Sequence, residues 1–158
     1  MRSKTRLAAS LKTPRNLLEL GHIFMKQIEI IARAVILCDG KILLCRQKTE
    51  NYYFLPGGHV EFGESIEKAL VRELKEETGA NVKKSRFLGI VENQLGRGKN
   101  KHHEINFIYK VALRATTFKI IEDHIEFYWK DIAIFKQTSF LPLQLKKQLL
   151  SWMKRNLI

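Results

Sequence analysis

The chain has 158 residues, 45% of them hydrophobic and 28% charged, a composition typical of one globular domain with a sizeable core. Its formal net charge of +12 favours polyanionic partners such as nucleotides, RNA or an anionic membrane surface, although a basic surface without such a partner would have the same charge. No apolar run is long enough to cross a lipid bilayer, so we do not expect a transmembrane helix.

Residues 1–26 differ in character from the rest of the chain. Five cations precede the first acidic residue, Glu19, and the leucines among them could form a short amphipathic face that breaks near Pro14. This character is typical of a transit peptide or of an arm that contacts nucleic acid or membrane, and a loosely ordered extension is the alternative. We therefore predict a basic N-terminal extension over residues 1–26 and one folded domain over residues 27–158.

A β-hairpin is predicted at the start of this domain. Residues 28–38 are rich in β-branched and apolar side chains, and residues 41–46 return as the second strand after the two-residue turn Asp39-Gly40. Residues 52–55 are predicted to form a short aromatic strand, which a proline and two glycines stop. The first half of the domain is therefore expected to contribute three strands to a sheet.

The two cysteines of the chain, Cys38 and Cys45, are not expected to form a disulfide. The predicted register places Cys38 opposite Lys41 and Cys45 opposite Ala34, which separates the two thiols too far for a bridge. Reduced, buried cysteines are the state expected in a cytoplasmic protein, and we predict that location for this chain.

A helix is predicted over residues 65–78. Ser65 is suited to cap its first turn, and Gly79 is suited to end it. At about 100° per residue, the apolar side chains of this segment form one stripe that would face the core. That stripe consists of Ile66, Ala69, Leu70 and Leu74.

Carboxylates share the apolar stripe of this helix. Glu73 and Glu77 fall on it and Glu76 lies at its edge, whereas the cations are predicted to point the other way, namely Lys68, Arg72 and Lys75. Carboxylates that lie close together on a partly buried face repel one another or shift in pKa unless a cation meets them. Hard divalent metal ions are the best candidates for that cation.

The second half of the domain continues the sheet and closes it with a helix. Strands are predicted over residues 86–92, 103–113 and 126–132, and an amphipathic helix over residues 141–156. Strands on both sides of one central helix predict a mixed sheet with helices packed on its faces, which is an α/β or, more narrowly, an α+β fold. The clearest alternation places four side chains on one face: Ile105, Phe107, Tyr109 and Val111.

The stretch from Gly58 to Ala80 carries glycine and charged residues at a defined spacing. Gly58 is followed after five residues by Glu64, and after seven more by the run Arg72-Glu73-Leu74-Lys75-Glu76-Glu77-Thr78-Gly79. This pattern resembles the signature of the Nudix hydrolase family, of which MutT-like proteins are members. Only Ala80 departs from it, being smaller than the usual aliphatic residue, which should affect packing more than activity. The resemblance covers about residues 28–156 and implies a mixed sheet sandwiched between helices.

The resemblance also implies an activity. Nudix enzymes hydrolyse a pyrophosphate bond in a nucleoside diphosphate-linked substrate with Mg²⁺ or Mn²⁺, and an unmodified or oxidised nucleoside triphosphate, cleaved to monophosphate and pyrophosphate, is our first candidate. Nucleotide sugars, dinucleoside polyphosphates and RNA 5′ ends are alternative substrates. The alternative to an enzyme is a binding module that recognises a nucleotide or RNA without cleaving it. The intact carboxylates of this chain argue against that alternative.

Roles for the charged residues of the signature follow from the same resemblance. Glu76 and Glu77 would be the principal metal ligands, and Glu73 would be either a further ligand or the base that activates water. Arg72 would orient these carboxylates through an ion pair. Glu64 would support the preceding loop or an outer metal ion. The catalytic set is therefore expected to be Arg72, Glu73 and Glu76.

Gly57 and Gly58, where the signature begins, are expected to let the backbone approach metal and phosphate without an intervening side chain. Gly58 would contact the metal through its backbone. Four residues outside the signature are predicted to contact the substrate: Arg33, Arg46, Phe54 and Glu104. Residues 97–101 could also hold phosphates, and ordinary surface charge is the alternative for all of these cations. The resemblance also implies candidates for a further carboxylate, which family members often add from a loop or strand after the signature, namely Glu104, Glu122, Asp123 and Glu126.

Two further features of the sequence bear on zinc binding and on oligomeric state. The run His102-His103-Glu104 could suggest zinc, but adjacent side chains on a strand point to opposite faces, so a shared metal is not expected. Exposed strand edges would allow a homodimer. We therefore predict a nucleotide as the small-molecule partner, with RNA and a second copy of the chain as further candidates.

Overall fold

The computed structural model describes residues 28–96, 102–116, 121 and 123–158. The predicted extension over residues 1–26, the loop at 97–101 and Glu122 lie outside the described residues. Within the described part, no helix is long and apolar enough to span a membrane. The cytoplasmic location stays a prediction.

The described elements form one mixed sheet and two helices. In chain order they are β1 (Ile28–Cys38), β2 (Lys41–Gln47), α1 (Ile66–Thr78), β3 (Val82–Leu95), β4 (His102–Leu113), β5 (Ile125–Asp131), a 3₁₀ turn (Ile132–Ile134) and α2 (Leu143–Lys154). The five strands lie in the order β3-β4-β1-β2-β5. The pairing of β1 with β4 is parallel, and the other neighbouring strands run antiparallel. The predicted α+β class, with helices on the faces of a mixed sheet, is confirmed.

Each face of the sheet packs against one helix, because side chains alternate between the faces along a strand. In β4, Tyr109 and Val111 belong to the apolar cluster under α1, and Phe107 packs against it, as the alternation predicted. Ile108, between them, belongs to the cluster under α2. The α2 cluster also includes Leu55, Phe135, Phe140, Leu145, Leu149 and Trp152.

The hairpin between β1 and β2 is paired over only two positions, Leu37 with Ile42 and Cys38 with Lys41. Beyond them the strands diverge, and the segment 54–60 enters between them and takes up their backbone hydrogen bonds. The predicted aromatic strand over residues 52–55 is accordingly present only as isolated bridges. This insertion brings Gly57 next to Glu77 of α1 and Gly58 next to Glu73.

The predicted pairing of Cys45 with Ala34 is wrong for the same reason. Cys45 pairs with Phe127 in β5 and forms a bridge with Phe54, while the Ala34 N–H donates to the carbonyl of Pro56 at 2.9 Å. Both cysteines are free, as predicted, but only Cys45 is buried, and Cys38 is half-buried. Burial, together with the nearby charge of Glu77, raises the pKa of the Cys45 thiol well above its ordinary value, so this thiol is unreactive.

Candidate active site

Helix α1 is fixed at both ends and along its apolar stripe. The Ser65 hydroxyl accepts a hydrogen bond from the Lys68 N–H at 3.3 Å, and Gly79, at φ 64°, ends the helix by donating its N–H to the Lys75 carbonyl. Leu74 is buried against the sheet. The predicted helix and both of its caps are confirmed, so the carboxylates of its last turns have defined positions.

Arg72 lies among the carboxylates and does not point away from them, as the helical periodicity had predicted. Its guanidinium donates to three carboxylates, at 2.6 Å to Glu64, 2.8 Å to Glu73 and 3.1 Å to Glu76. It also donates to the carbonyl of His59 at 3.0 Å. The planar fork of donors on this long side chain matches the surrounding oxygens, which lie on the helix and on the loop before it. The bond to Glu64 is the main cause that raises the pKa of Arg72 and lowers the pKa of Glu64.

The pair of Arg72 and Glu64 is expected to make stability depend on pH. Because the pKa of Glu64 is lower in the folded chain than its ordinary value of 4.5, the pair stabilises the fold above that pH. The stabilisation is lost as the pH falls through the lowered value. We therefore expect Glu64→Gln to decrease the free energy of unfolding at pH 7, and to have a smaller effect at pH 3.

Urea denaturation of both chains at pH 7 and pH 3 measures this difference. Glu61→Gln, which changes an exposed carboxylate in the same loop, is the matched control and should have a small effect at both pH values. An equal loss for Glu64→Gln at pH 7 and pH 3 would show that the ion pair does not cause it.

The glycine turn, residues 55–58, lies directly against α1. The N–H of Gly57 donates to Glu77 Oε2 at 3.2 Å. Gly57 has a φ of 115°, and a Cβ at this position would collide with the carbonyl oxygen of Ala32. A Cβ on Gly58 would collide with the carboxylate of Glu73. Gly57 is therefore required by contact with backbone, whereas a side chain at Gly58 would displace the Glu73 carboxylate, which fills the space beside it.

The carboxylates of the cluster differ strongly in exposure. Glu77 is 3% exposed, whereas the side chains of Glu73 and Glu64 are 19% and 17% exposed, and that of Glu76 is 54% exposed. Glu77 therefore lies at the base of the cluster beneath the glycine turn, and Glu76 is the carboxylate most open to an incoming ligand.

The donor set suits a hard divalent cation. Glu64, Glu73, Glu76 and Glu77 offer only carboxylate oxygens, which Mg²⁺ and Mn²⁺ prefer. Across the part of the chain that the structure describes, no three acidic, histidine or cysteine side chains already form a metal cage. Mg²⁺ does not require one, because it takes one or two carboxylates and completes its octahedron with water and substrate oxygens. The residues present therefore fit the cation that the resemblance implies.

An open cavity of about 260 Å³ lies on the α2 side of the sheet. Three of the four residues predicted to contact substrate line it together, although they come from distant parts of the chain: Arg33, Phe54 and Glu104. Its remaining lining is Gln47, Tyr52, Leu141 and Pro142. The sequence pattern does not indicate Leu141 and Pro142, since the loop that leads from β5 to α2 carries no local signal of a binding site.

Arg46, the fourth predicted substrate contact, does not line this cavity. Its guanidinium donates to Glu126 at 2.8 Å and to the Tyr128 hydroxyl at 2.9 Å, and it lies over the rings of Tyr53 and Tyr128. The bond between Arg46 and Glu126 raises the pKa of the arginine and lowers that of the carboxyl. Glu126, one candidate for an additional metal ligand, is thus already paired with a cation.

The adjacent histidines of β4 have different partners, as the alternation of a strand requires. His102 Nδ1 lies 3.5 Å from Glu29, and His103 Nε2 lies 2.8 Å from Glu92. Glu104 accepts a hydrogen bond from Asn106 at 3.2 Å. This run therefore does not converge on one metal ion.

Comparison with known proteins agrees with this geometry. The family model of the NUDIX domain matches residues 29–151. The ADP-ribose pyrophosphatase of Methanocaldococcus jannaschii is 31% identical over 117 residues, covering 72% of this chain and 68% of that protein. The CTP pyrophosphohydrolase of Escherichia coli K12 is 48% identical over 59 residues, covering 35% and 43% of the two chains.

The fold also matches solved structures. A MutT protein from Methanosarcina mazei Go1 has a TM-score of 0.70 and 24% identity, over 83% of this chain and 96% of that one. The family match spans most of the chain, and both the sequence signature and the sheet that supports it lie within the matched residues. The chain therefore belongs to the Nudix hydrolase family and is a pyrophosphohydrolase.

Proposed function

We propose that the enzyme hydrolyses the pyrophosphate bond of a nucleoside triphosphate with Mg²⁺ or Mn²⁺, releasing a monophosphate and pyrophosphate. The observation that carries this proposal is the position of the glycine turn between the carboxylates and the cavity. The N–H of Gly57 binds Glu77 at 3.2 Å, and its carbonyl accepts from Arg33, in the cavity wall, at 2.7 Å. A nucleotide whose base occupies the cavity can therefore bring its phosphates beside the carboxylates.

The acidic cluster would hold the cation and the attacking water. Glu76 and Glu77 are the proposed principal ligands, joined by the Gly58 backbone, and Glu73 is a further ligand or the base that accepts the water proton. Arg72 orients Glu73 and Glu76, to which it is already bonded. When bound, the cation neutralises phosphate charge and lowers the pKa of a coordinated water.

The lining of the cavity suits a nucleobase. Phe54 and Tyr52 offer aromatic surface for stacking, and the Glu104 carboxylate offers an acceptor for N–H groups on the base. Glu64 supports the opposite side of the site through its bond to Arg72. The net charge of +12 favours a highly charged substrate, as a triphosphate is, but it does not choose among the candidate substrates.

ADP-ribose is a second candidate substrate, since a relative with 31% identity is named for its hydrolysis. Cytidine triphosphate is favoured in the same way by the second relative. Dinucleoside polyphosphates, nucleotide sugars and RNA 5′ ends share the same bond. A second copy of the chain could pair with the outer strands β3 and β5, and this remains a prediction.

A panel of nucleotides separates these candidates. We expect Mg²⁺-dependent release of pyrophosphate from one or more unmodified or oxidised nucleoside triphosphates, with a larger kcat/KM than for ADP-ribose, nucleotide sugars or capped RNA. Product analysis by ion exchange, with a chelator as control, checks both the substrate and the bond cleaved. A higher kcat/KM on ADP-ribose than on any nucleoside triphosphate would make ADP-ribose the first candidate substrate. If the protein binds nucleotides of the panel but hydrolyses none of them, the result would favour a module that binds a nucleotide or RNA without cleaving it.

A further inference from the structure

The guanidinium of Arg33 donates hydrogen bonds to the protein backbone. Its Nη1 donates to the carbonyl oxygens of Leu55 at 3.0 Å and of Gly57 at 2.7 Å. Its Nε donates to Oδ1 of Asn106 at 3.5 Å, and its carbon lies 5.6 Å from the centre of the Phe54 ring. Arg33, which the sequence predicted to bind substrate, thus extends from strand β1 and bonds two carbonyls of the glycine turn.

These bonds complete the fixation of the glycine turn. The N–H of Gly57 is bonded to Glu77 of α1, and the carbonyl of Gly58 accepts from the N–H of Ala32 at 2.9 Å. Without Arg33, the carbonyls of Leu55 and Gly57 would lose this shared donor in a partly buried place, which is unfavourable for a backbone acceptor. That N–H belongs to the peptide between Pro56 and Gly57, whose own carbonyl accepts from the Ala34 N–H at 2.9 Å, and Arg33 holds the two peptides that flank it.

Asn106 holds Arg33 in turn. It is fully buried, and because arginine can only donate, the Oδ1 of its amide must face Arg33 and its Nδ2 must face Glu104. Hydrogen bonds thus link Glu104 in the cavity wall through Asn106 and Arg33 to the carbonyl of Gly57, the residue whose N–H is bonded to Glu77.

We propose that Arg33 is a positioning residue that clamps the glycine turn, so that Gly57 and Gly58 hold Glu77 and Glu73 in place for hydrolysis. Arg33 acts through the turn and leaves the phosphates to other groups. The role requires the planar fork of an arginine, because a lysine ammonium is a point charge that cannot reproduce both carbonyl bonds and the bond to Asn106 with the same geometry.

The two roles of Arg33 predict different kinetics, and this part of the test rests on the proposed function. Loss of a positioning residue lowers kcat, because misplaced carboxylates slow the chemical step while the substrate still binds. Loss of a phosphate ligand raises KM. We expect Arg33→Lys and Arg33→Gln to lower kcat by about 10- to 100-fold with KM changed less than about twofold.

A second readout does not depend on turnover. Hydrogen exchange, followed by NMR, should show the Gly57 amide exchanging at least about tenfold faster in Arg33→Lys, relative to the Val60 amide, which donates to Ile30. The ratio removes any general loss of stability. Arg86→Lys is the control, since Arg86 is exposed on β3 and donates to the carbonyl of Leu157, away from the turn. It should change neither kcat nor the ratio.

A rise in KM of tenfold or more with kcat unchanged would overturn the clamp in favour of a phosphate ligand. An unchanged exchange ratio in Arg33→Lys would also overturn it, since the turn would then be fixed without the arginine. If the unaltered enzyme hydrolyses no member of the nucleotide panel, the proposed function fails. The ratio of the Gly57 and Val60 exchange rates then decides by itself whether Arg33 clamps the turn. Should Arg33→Gln not fold, Arg33→Lys supplies both measurements.

Discussion

Glu76→Gln is expected to lower kcat/KM by at least about 100-fold, or about 2.7 kcal/mol of transition-state stabilisation. Loss of a group that only supports a metal ligand commonly lowers metal affinity or activity by about 10- to 100-fold. Glu76 is proposed to bind the cation directly, so its loss should have at least the larger of these effects. The fold should tolerate the change. The side chain is 54% exposed, and its bond to Arg72 is an (i, i+4) surface pair worth about 0.5 kcal/mol.

Steady-state kinetics on the best nucleotide of the panel, together with thermal unfolding, measure both effects. Glu67→Gln is the matched control, since Glu67 is an exposed glutamate in the first turn of the same helix. It should leave kcat/KM within about twofold of the unaltered enzyme. Full turnover by Glu76→Gln would remove this residue from the proposed ligands.

Gly57→Ala should destabilise the fold as well as the site. A residue with a side chain is strained at φ 115°, and its Cβ would collide with the carbonyl of Ala32, which is backbone and cannot rotate away. Strain of about 1–3 kcal/mol and overpacking of about 1–3 kcal/mol lead us to expect a loss of roughly 2–6 kcal/mol in the free energy of unfolding. Hydrolysis should fall in the same variant, because the Gly57 N–H is bonded to Glu77.

Gly40→Ala separates the collision from the backbone strain. Gly40 also has a positive φ, 73°, but a Cβ there would meet no atom within 4 Å. Urea denaturation should therefore show a smaller loss for Gly40→Ala, about 1 kcal/mol, with activity unchanged. Equal losses in the two variants would mean that contact with Ala32 does not constrain the turn.

Local signals predicted the centre of the site well. The apolar stripe of α1, its cap at Ser65 and its end at Gly79 each depend on residues a few positions apart, and the structure confirms them. The direction of Arg72 could not be obtained in this way. A helical wheel gives the direction of the Cα–Cβ bond, whereas three carboxylates and a carbonyl determine where a long, flexible side chain ends.

Contacts between distant segments were the least predictable part. The segment 54–60 enters between β1 and β2, which no pattern within the hairpin indicates, and this insertion changed the partner of Cys45. The cavity joins β1, β4 and the loop before α2, so its residues share no spacing in sequence. The sequence could show that Arg33 is a cation, but only the fold reveals that backbone carbonyls occupy it.

The most direct test of a metal-assisted pyrophosphohydrolase is ³¹P NMR of nucleotide hydrolysis in ¹⁸O-labelled water, with Mg²⁺ and with a chelator. We predict that a nucleoside triphosphate gives monophosphate and pyrophosphate, that one product carries the ¹⁸O label, and that the chelator abolishes the reaction. Hydrolysis at the same rate in the chelator, or release of inorganic phosphate alone, would contradict the role assigned to the carboxylates of α1.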